Sequence, residues 1–216
     1  LGDVYKRQAL VLEANSLKDT ELRTYFQKQA HQEGLTFDKG VFEELLVKSS
    51  FDFSDIQKNL AFLKGYKTEG NISSQDITEA IPKSLQDNIF DMTQLLLRGQ
   101  IQDVRELVHD LRLQGEDEIK LIAVMLGQFR TYLQVKLLSA QGKSEQQIVS
   151  SLSDYLSRKV NPFQVRYAIR DSRHLSVAFL KTTIKTLVET DYQIKTGTLD
   201  KDYLLDLALL KIASNS

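Results

Sequence analysis

Residues 118–142 read EIKLIAVMLGQFRTYLQVKLLSAQG. Ile119, Ile122, Leu126, Phe129, Leu133 and Leu137 recur at steps of three and four, the spacing of one face of an α-helix. No proline interrupts the run. Gly142 closes it as a C-terminal cap, and Ser144 with Gln147 has the spacing of a capping box that opens a further helix. A continuous period of about six turns has no counterpart in strands, whose usual length is about 5–6 residues. This stretch places the chain among helical folds.

The same period extends outward in both directions. Toward the N-terminus lie Leu22-Phe26-Ala30, Phe37-Val41-Leu45 behind Thr36 as N-cap, and Phe53-Ile56-Leu60-Leu63 with a Ser54/Gln57 capping box. A short helix carries Ile77 and Ile81 up to Pro82. Longer helices follow through Leu85-Ile89-Met92-Leu96 and Ile101-Val104-Val108-Leu111. Beyond Gly142, Asn161-Pro162 opens a helix expected to run through Arg173, and Val177-Leu180-Ile184-Leu187 gives another. The tail YLLDLALLKI, residues 203–212, is apolar nearly all round, so it is buried on several sides or lies in a subunit contact. The best strand candidate is Ala9–Glu13, and one strand makes no sheet. The expected fold is therefore all-α: a bundle of three to four helices over 17–82, then a larger helical domain over 83–216.

Lys and Arg number 28 against 29 Asp and Glu, a net charge of −1, so the chain as a whole has no field that draws it to nucleic acid or anionic membrane. The absence of cysteine removes disulfides, thiol catalysis and cysteine-ligated zinc. No apolar run approaches the roughly 20 residues of a membrane helix. A cytoplasmic protein without membrane contact is expected.

The sequence carries little recognisable chemistry. Gly142-Lys143-Ser144 imitates the end of a phosphate-binding loop, but the position that needs the first glycine is Leu137, inside a helix. His31, His109 and His174 are far apart with no ligands at metal spacing. Glu43-Glu44 and Glu116-Asp117-Glu118 fit solvated helix surfaces and helix starts. No cofactor, metal or catalytic residue is expected. One charge feature stands out: Arg158, Lys159, Arg166, Arg170, Arg173, Lys181 and Lys185 face a single acid, Asp171. Arg166, Arg170 and Arg173 form a stripe at helical spacing, which is either a surface for DNA or an acidic partner, or a solvated face.

Several stretches, in order, resemble the delta subunit of the bacterial DNA polymerase III clamp loader. They are Leu12-Glu13-Ala14-Asn15-Ser16-Leu17-Lys18, Asp87-Asn88-Ile89-Phe90-Asp91, the run from Leu111 to Glu116 with Gln128-Phe129-Arg130, Leu137 to Ser144, Asn161 to Val165, and Asp191 to Gly197. The resemblance implies that 9–16 is the last strand of an AAA+-type first domain otherwise missing from this sequence. It implies a helical lid over 17–82 and an oligomerising collar over 83–216. Such a subunit assembles with the other clamp-loader subunits through the collar, and meets the sliding clamp only through the missing first domain. It supports replication without an ATPase or polymerase site of its own, although the holoenzyme is a DNA-directed DNA polymerase. The lid of its ATP-hydrolysing relatives carries a phosphate-sensing arginine; here no arginine occurs between Arg23 and Arg98. The resemblance also directs attention to Leu207, Leu210 and Lys211 as part of the collar contact, against the alternative that both leucines belong to the domain's own core. The competing class is a helical regulatory or ligand-binding scaffold, such as a transcription-factor effector domain, which requires an apolar pocket inside the second block.

The opening octapeptide LGDVYKRQ, residues 1–8, shows no helical or strand period. One choice of codons, CTC GGA GAT GTG TAT AAG AGA CAG, resembles the transposase mosaic end of a sequencing adapter. These residues are expected to be adapter translation and to pack against nothing.

Overall fold

The computed structural model describes residues 17–49, 51–157, 160–197 and 199–215. The octapeptide, the strand expected at 9–16, and Arg158 and Lys159 of the basic strip lie outside the described residues. The chain divides between Pro82 and Lys83 into two compact units. Eleven helices and one small sheet occur among the described residues.

The first unit runs α1 (Asp19–Gln32), β1 (Leu35–Phe37), α2 (Val41–Lys48), α3 (Phe53–Tyr66), β2 (Gly70–Ile72) and α4 (Ser74–Ala80). Its core gathers Phe26, Leu45, Leu46, Ile56, Leu60, Leu63, Ile72 and Ile77. Each aliphatic side chain so enclosed contributes about 1.5–3 kcal/mol relative to exposure.

Two starts differ from the sequence reading. Thr36 does not cap a helix: it lies in β1, which pairs in parallel with β2 in the register Leu35–Gly70, Thr36–Asn71 and Phe37–Ile72. Its hydroxyl donates to Asn71 Oδ1 at 3.2 Å. The helix begins later, behind Gly40 at φ 86°, a left-handed conformation that glycine adopts without strain. α3 is capped by Asp52 rather than Ser54; its carboxylate accepts from the amides of Ser54 and Asp55 at 2.9 and 3.0 Å. At α4, Ser73 and Asp76 form the capping box.

The second unit runs α5 (Leu85–Leu97), α6 (Ile101–Leu113), α7 (Glu118–Ala140), α8 (Glu145–Leu156), α9 (Pro162–Asp171), α10 (Val177–Lys195) and α11 (Lys201–Ala213). The Ser84/Asp87 and Ser144/Gln147 capping boxes open α5 and α8, and Asn161 with Pro162 opens α9. α7 is the central member, in contact with α5, α8, α9, α10 and α11. That position explains its burial. Leu121, Ile122, Met125, Leu126, Phe129, Tyr132 and Val135 are enclosed, a belt wider than the single stripe read from the sequence, while Leu137 is 42% exposed. No described helix is long and apolar enough to cross a membrane.

Candidate functional site

Three features of the second unit hold functional interest: the arginine strip, the outer face of α11, and an ion cluster at the start of α11.

The strip is not one helical stripe. α9 ends at Asp171, and Arg173 stands in the turn beyond it. The Ser172 amide bonds back to the Ala168 carbonyl at 3.0 Å, and the Lys136 ammonium donates to the carbonyls of Ser172 and Arg173, both at 3.1 Å. A cation at the negative end of the helix thus stabilises its stop. Arg166 meets the Glu145 carboxylate at 3.0 Å and lies over the Phe163 ring, its centroid 5.9 Å away. Arg170 meets Asp171 at 2.8 Å and lies 5.1 Å from the Tyr167 centroid. Each arginine on α9 therefore already holds a carboxylate and an aromatic face. The hydrogen bonds to Glu145 and Asp171 raise both guanidinium pKa values.

α11 is two-faced. Leu204, Leu205, Ala208, Leu209 and Ile212 are buried against the unit. Tyr203, Leu207 and Leu210, at steps of four and three, share the other side. Tyr203 is 57% and Leu210 42% exposed, and Leu207 is half-buried. Lys211 beside them is exposed. Leu210 is thus outside the domain's own core, and Leu207 only partly within it.

The third feature was not visible as a site in the sequence. Glu118, the first residue of α7, is only 2% exposed. Arg112 Nε donates to its Oε1 at 2.8 Å, and Lys201 Nζ lies 2.8 Å from its Oε2. Lys201 also donates to Asp117 at 2.7 Å, and Asp117 caps α7 by accepting from the Ile119 amide at 2.8 Å. Arg112 Nη2 is 3.7 Å from both Asp202 and Asp206; it is buried and makes no hydrogen bond. Burial alone pushes the Glu118 pKa up, but the Lys201 ammonium, a backbone amide and Arg112 outweigh it and bring it down to about 2. Hydrogen bonds to Asp117 and Glu118 raise the Lys201 pKa, and the neighbouring Glu118 raises that of Asp202.

Two clefts among the described residues add no converging chemistry. One of about 460 Å³ in the first unit is lined by Gln27, His31, Phe37, Lys39 and Glu43 among others. One of about 490 Å³ follows Val188, Glu189, Tyr192 and Gln193 along α10 alone, unlike the internal pocket a ligand-binding scaffold requires. No group of three or more His, Asp or Glu among the described residues is arranged to hold a metal ion.

Comparison with known proteins matches residues 86–212 to the model of the DNA polymerase III delta subunit, C-terminal domain. The chain belongs to this family. It is 32% identical over 216 residues to the DNA polymerase III subunit delta of Bacillus subtilis, covering 98% of this chain and 60% of that protein. It also superposes on the structure of the Bacillus subtilis DNA clamp loader delta protein with a TM-score of 0.75 and 30% identity, covering 98% of this chain and 61% of that one. The chain therefore spans about three-fifths of the length of these delta relatives. The delta-family segment takes in the arginine strip, the ion cluster and the outer face of α11 together.

Proposed function

We propose that this chain is the assembly portion of a clamp-loader delta subunit, a non-catalytic component that docks onto the other loader subunits so that the loader can place the sliding clamp on DNA during replication. The observation that carries the proposal is the family match over residues 86–212. In this reading the first unit is the lid and residues 83–216 are the collar. The sliding clamp is met by a part of the subunit outside this sequence. The outer face of α11, with Tyr203, Leu207, Leu210 and Lys211, is the docking surface. Burying exposed apolar area is the ordinary driving force of such contacts, and a tyrosine with leucines around it suits the centre of one. The chain should enter a complex with the remaining loader subunits, and Leu210→Asp should prevent it.

A second role attaches to the strip, favoured by the stacking of Arg166 and Arg170 on aromatic rings. Arginine interleaved with aromatics suits DNA backbone and bases. Because Glu145 and Asp171 must be exchanged for phosphate, such contact within the assembled loader is weak and falls steeply with salt. Replacing Arg166, Arg170 and Arg173 together with alanine should lower DNA affinity of the loader at low salt while leaving its assembly intact.

A further inference from the structure

The two faces of α11 are held by forces of different kinds. Its buried side packs through Leu204, Leu205, Ala208, Leu209 and Ile212, and apolar packing is non-directional. Its first turn is held by charge at defined distances. Lys201 is the first residue of the helix, where a cation opposes the macrodipole. Such a residue contradicts local helix preference unless something offsets it, and places where local rules are broken are where function concentrates. Here Asp117 and Glu118, at 2.7 and 2.8 Å, provide the offset.

One turn of the helix is also measured against Arg112. Asp202 and Asp206, four residues apart, flank its Nη2 at equal distances of 3.7 Å, and Arg105 reaches Asp206 at 3.9 Å. Each of these acids immediately precedes a residue of the outer stripe: Asp202 precedes Tyr203, and Asp206 precedes Leu207. Neighbouring residues lie about 100° apart around a helix. Fixing Asp202 and Asp206 toward Arg112 therefore fixes where Tyr203 and Leu207 point.

We propose that the cluster of Glu118, Lys201 and Arg112 is a positioning device for docking: it sets the rotation and register of α11, and so presents Tyr203, Leu207 and Leu210 to the neighbouring loader subunit in one orientation. The inference rests on the docking reading of α11. Glu118, Lys201 and Arg112 touch no partner themselves and act through the helix. Buried charged and polar groups are best attested in this role, as selectors of register.

The test uses the full chain and the other loader subunits, with the dissociation constant of assembly measured well below the unfolding temperature. Lys201→Met, at a half-exposed position that tolerates the change, should weaken assembly by at least about tenfold. It should also speed amide exchange in the first turns of α11. Leu152→Ala, a core truncation in α8 away from α11, should lower the unfolding temperature while assembling with unchanged affinity. Wild-type affinity of Lys201→Met, with assembly lost in Leu210→Asp, overturns the positioning role and leaves docking standing. Equal weakening by Leu152→Ala also overturns it, because the effect is then one of general stability. Unimpaired assembly of Leu210→Asp overturns the docking reading itself.

Discussion

Lys201 Nζ lies 2.8 Å from Glu118 Oε2, joining the first residue of the last helix to the first residue of the central one. The carboxylate is almost wholly buried, while the ammonium side chain is about half exposed. Such a pair is strongly asymmetric to mutation. Loss of the acid takes from Arg112 its one close carboxylate and leaves it only Asp202 and Asp206 at 3.7 Å, with Lys201 keeping Asp117, whereas loss of the lysine leaves Glu118 bonded to Arg112.

Glu118→Ala should therefore destabilise the second unit by about 3 kcal/mol, in the range for breaking a buried pair. Lys201→Met should cost less. Urea unfolding of the two variants, followed by circular dichroism, checks the order.

Acid should act through the same residue. Glu118 titrates near 2 in the folded chain against an ordinary value of 4.5. The folded state thus binds fewer protons, and the stabilisation is complete above about pH 5 and disappears as pH falls toward 2. Asp202, shifted upward by Glu118, offsets part of this. The urea midpoint of the wild type should fall more between pH 5 and pH 3 than that of Glu118→Gln. Parallel loss in both would place the acid sensitivity elsewhere.

The central helix separates two readings of its sequence. Phe129→Ala should cost about 3–5 kcal/mol, as for an aromatic removed from a closed core. Leu137→Ala should stay within about 0.5 kcal/mol, as expected for an exposed position. Both belong to the same sequence stripe, and thermal unfolding distinguishes them.

Glycines on and after α7 should respond with opposite signs. Gly127 is an exposed residue inside the helix with open space around an added Cβ, so Gly127→Ala should stabilise by roughly 0.5–1 kcal/mol. Gly142 follows the helix at φ 77°, so Gly142→Ala should cost about 1–2 kcal/mol. The second result would also confirm Gly142-Lys143-Ser144 as a helix stop and start. Chemical denaturation of each variant measures both.

The helical class was legible because the relevant signals are local. Ser144 with Gln147, and Asn161 before Pro162, announce their helices within four residues. The β1–β2 pair was hidden: two segments of three residues meet across 35 positions, and Thr36 and Phe37 fit the cap and period of the following helix. The end of α9 was hidden for a similar reason, since Lys136, from another helix, holds the carbonyls beyond it. Glu118 was the largest omission. In sequence it stands in an acidic run at a helix start, where solvation explains it. Its burial depends on Lys201, more than eighty residues later. No periodicity connects them. The outer face of α11, by contrast, was legible as an apolar excess that one buried side could not absorb.

The most direct measurement is sedimentation velocity of the full chain mixed with the other clamp-loader subunits, for wild type and Leu210→Asp. The wild type should sediment within the loader complex, and Leu210→Asp should stay free as a folded chain. A wild type that remains free, or a Leu210→Asp variant that joins the complex as well as the wild type, would contradict the proposed docking.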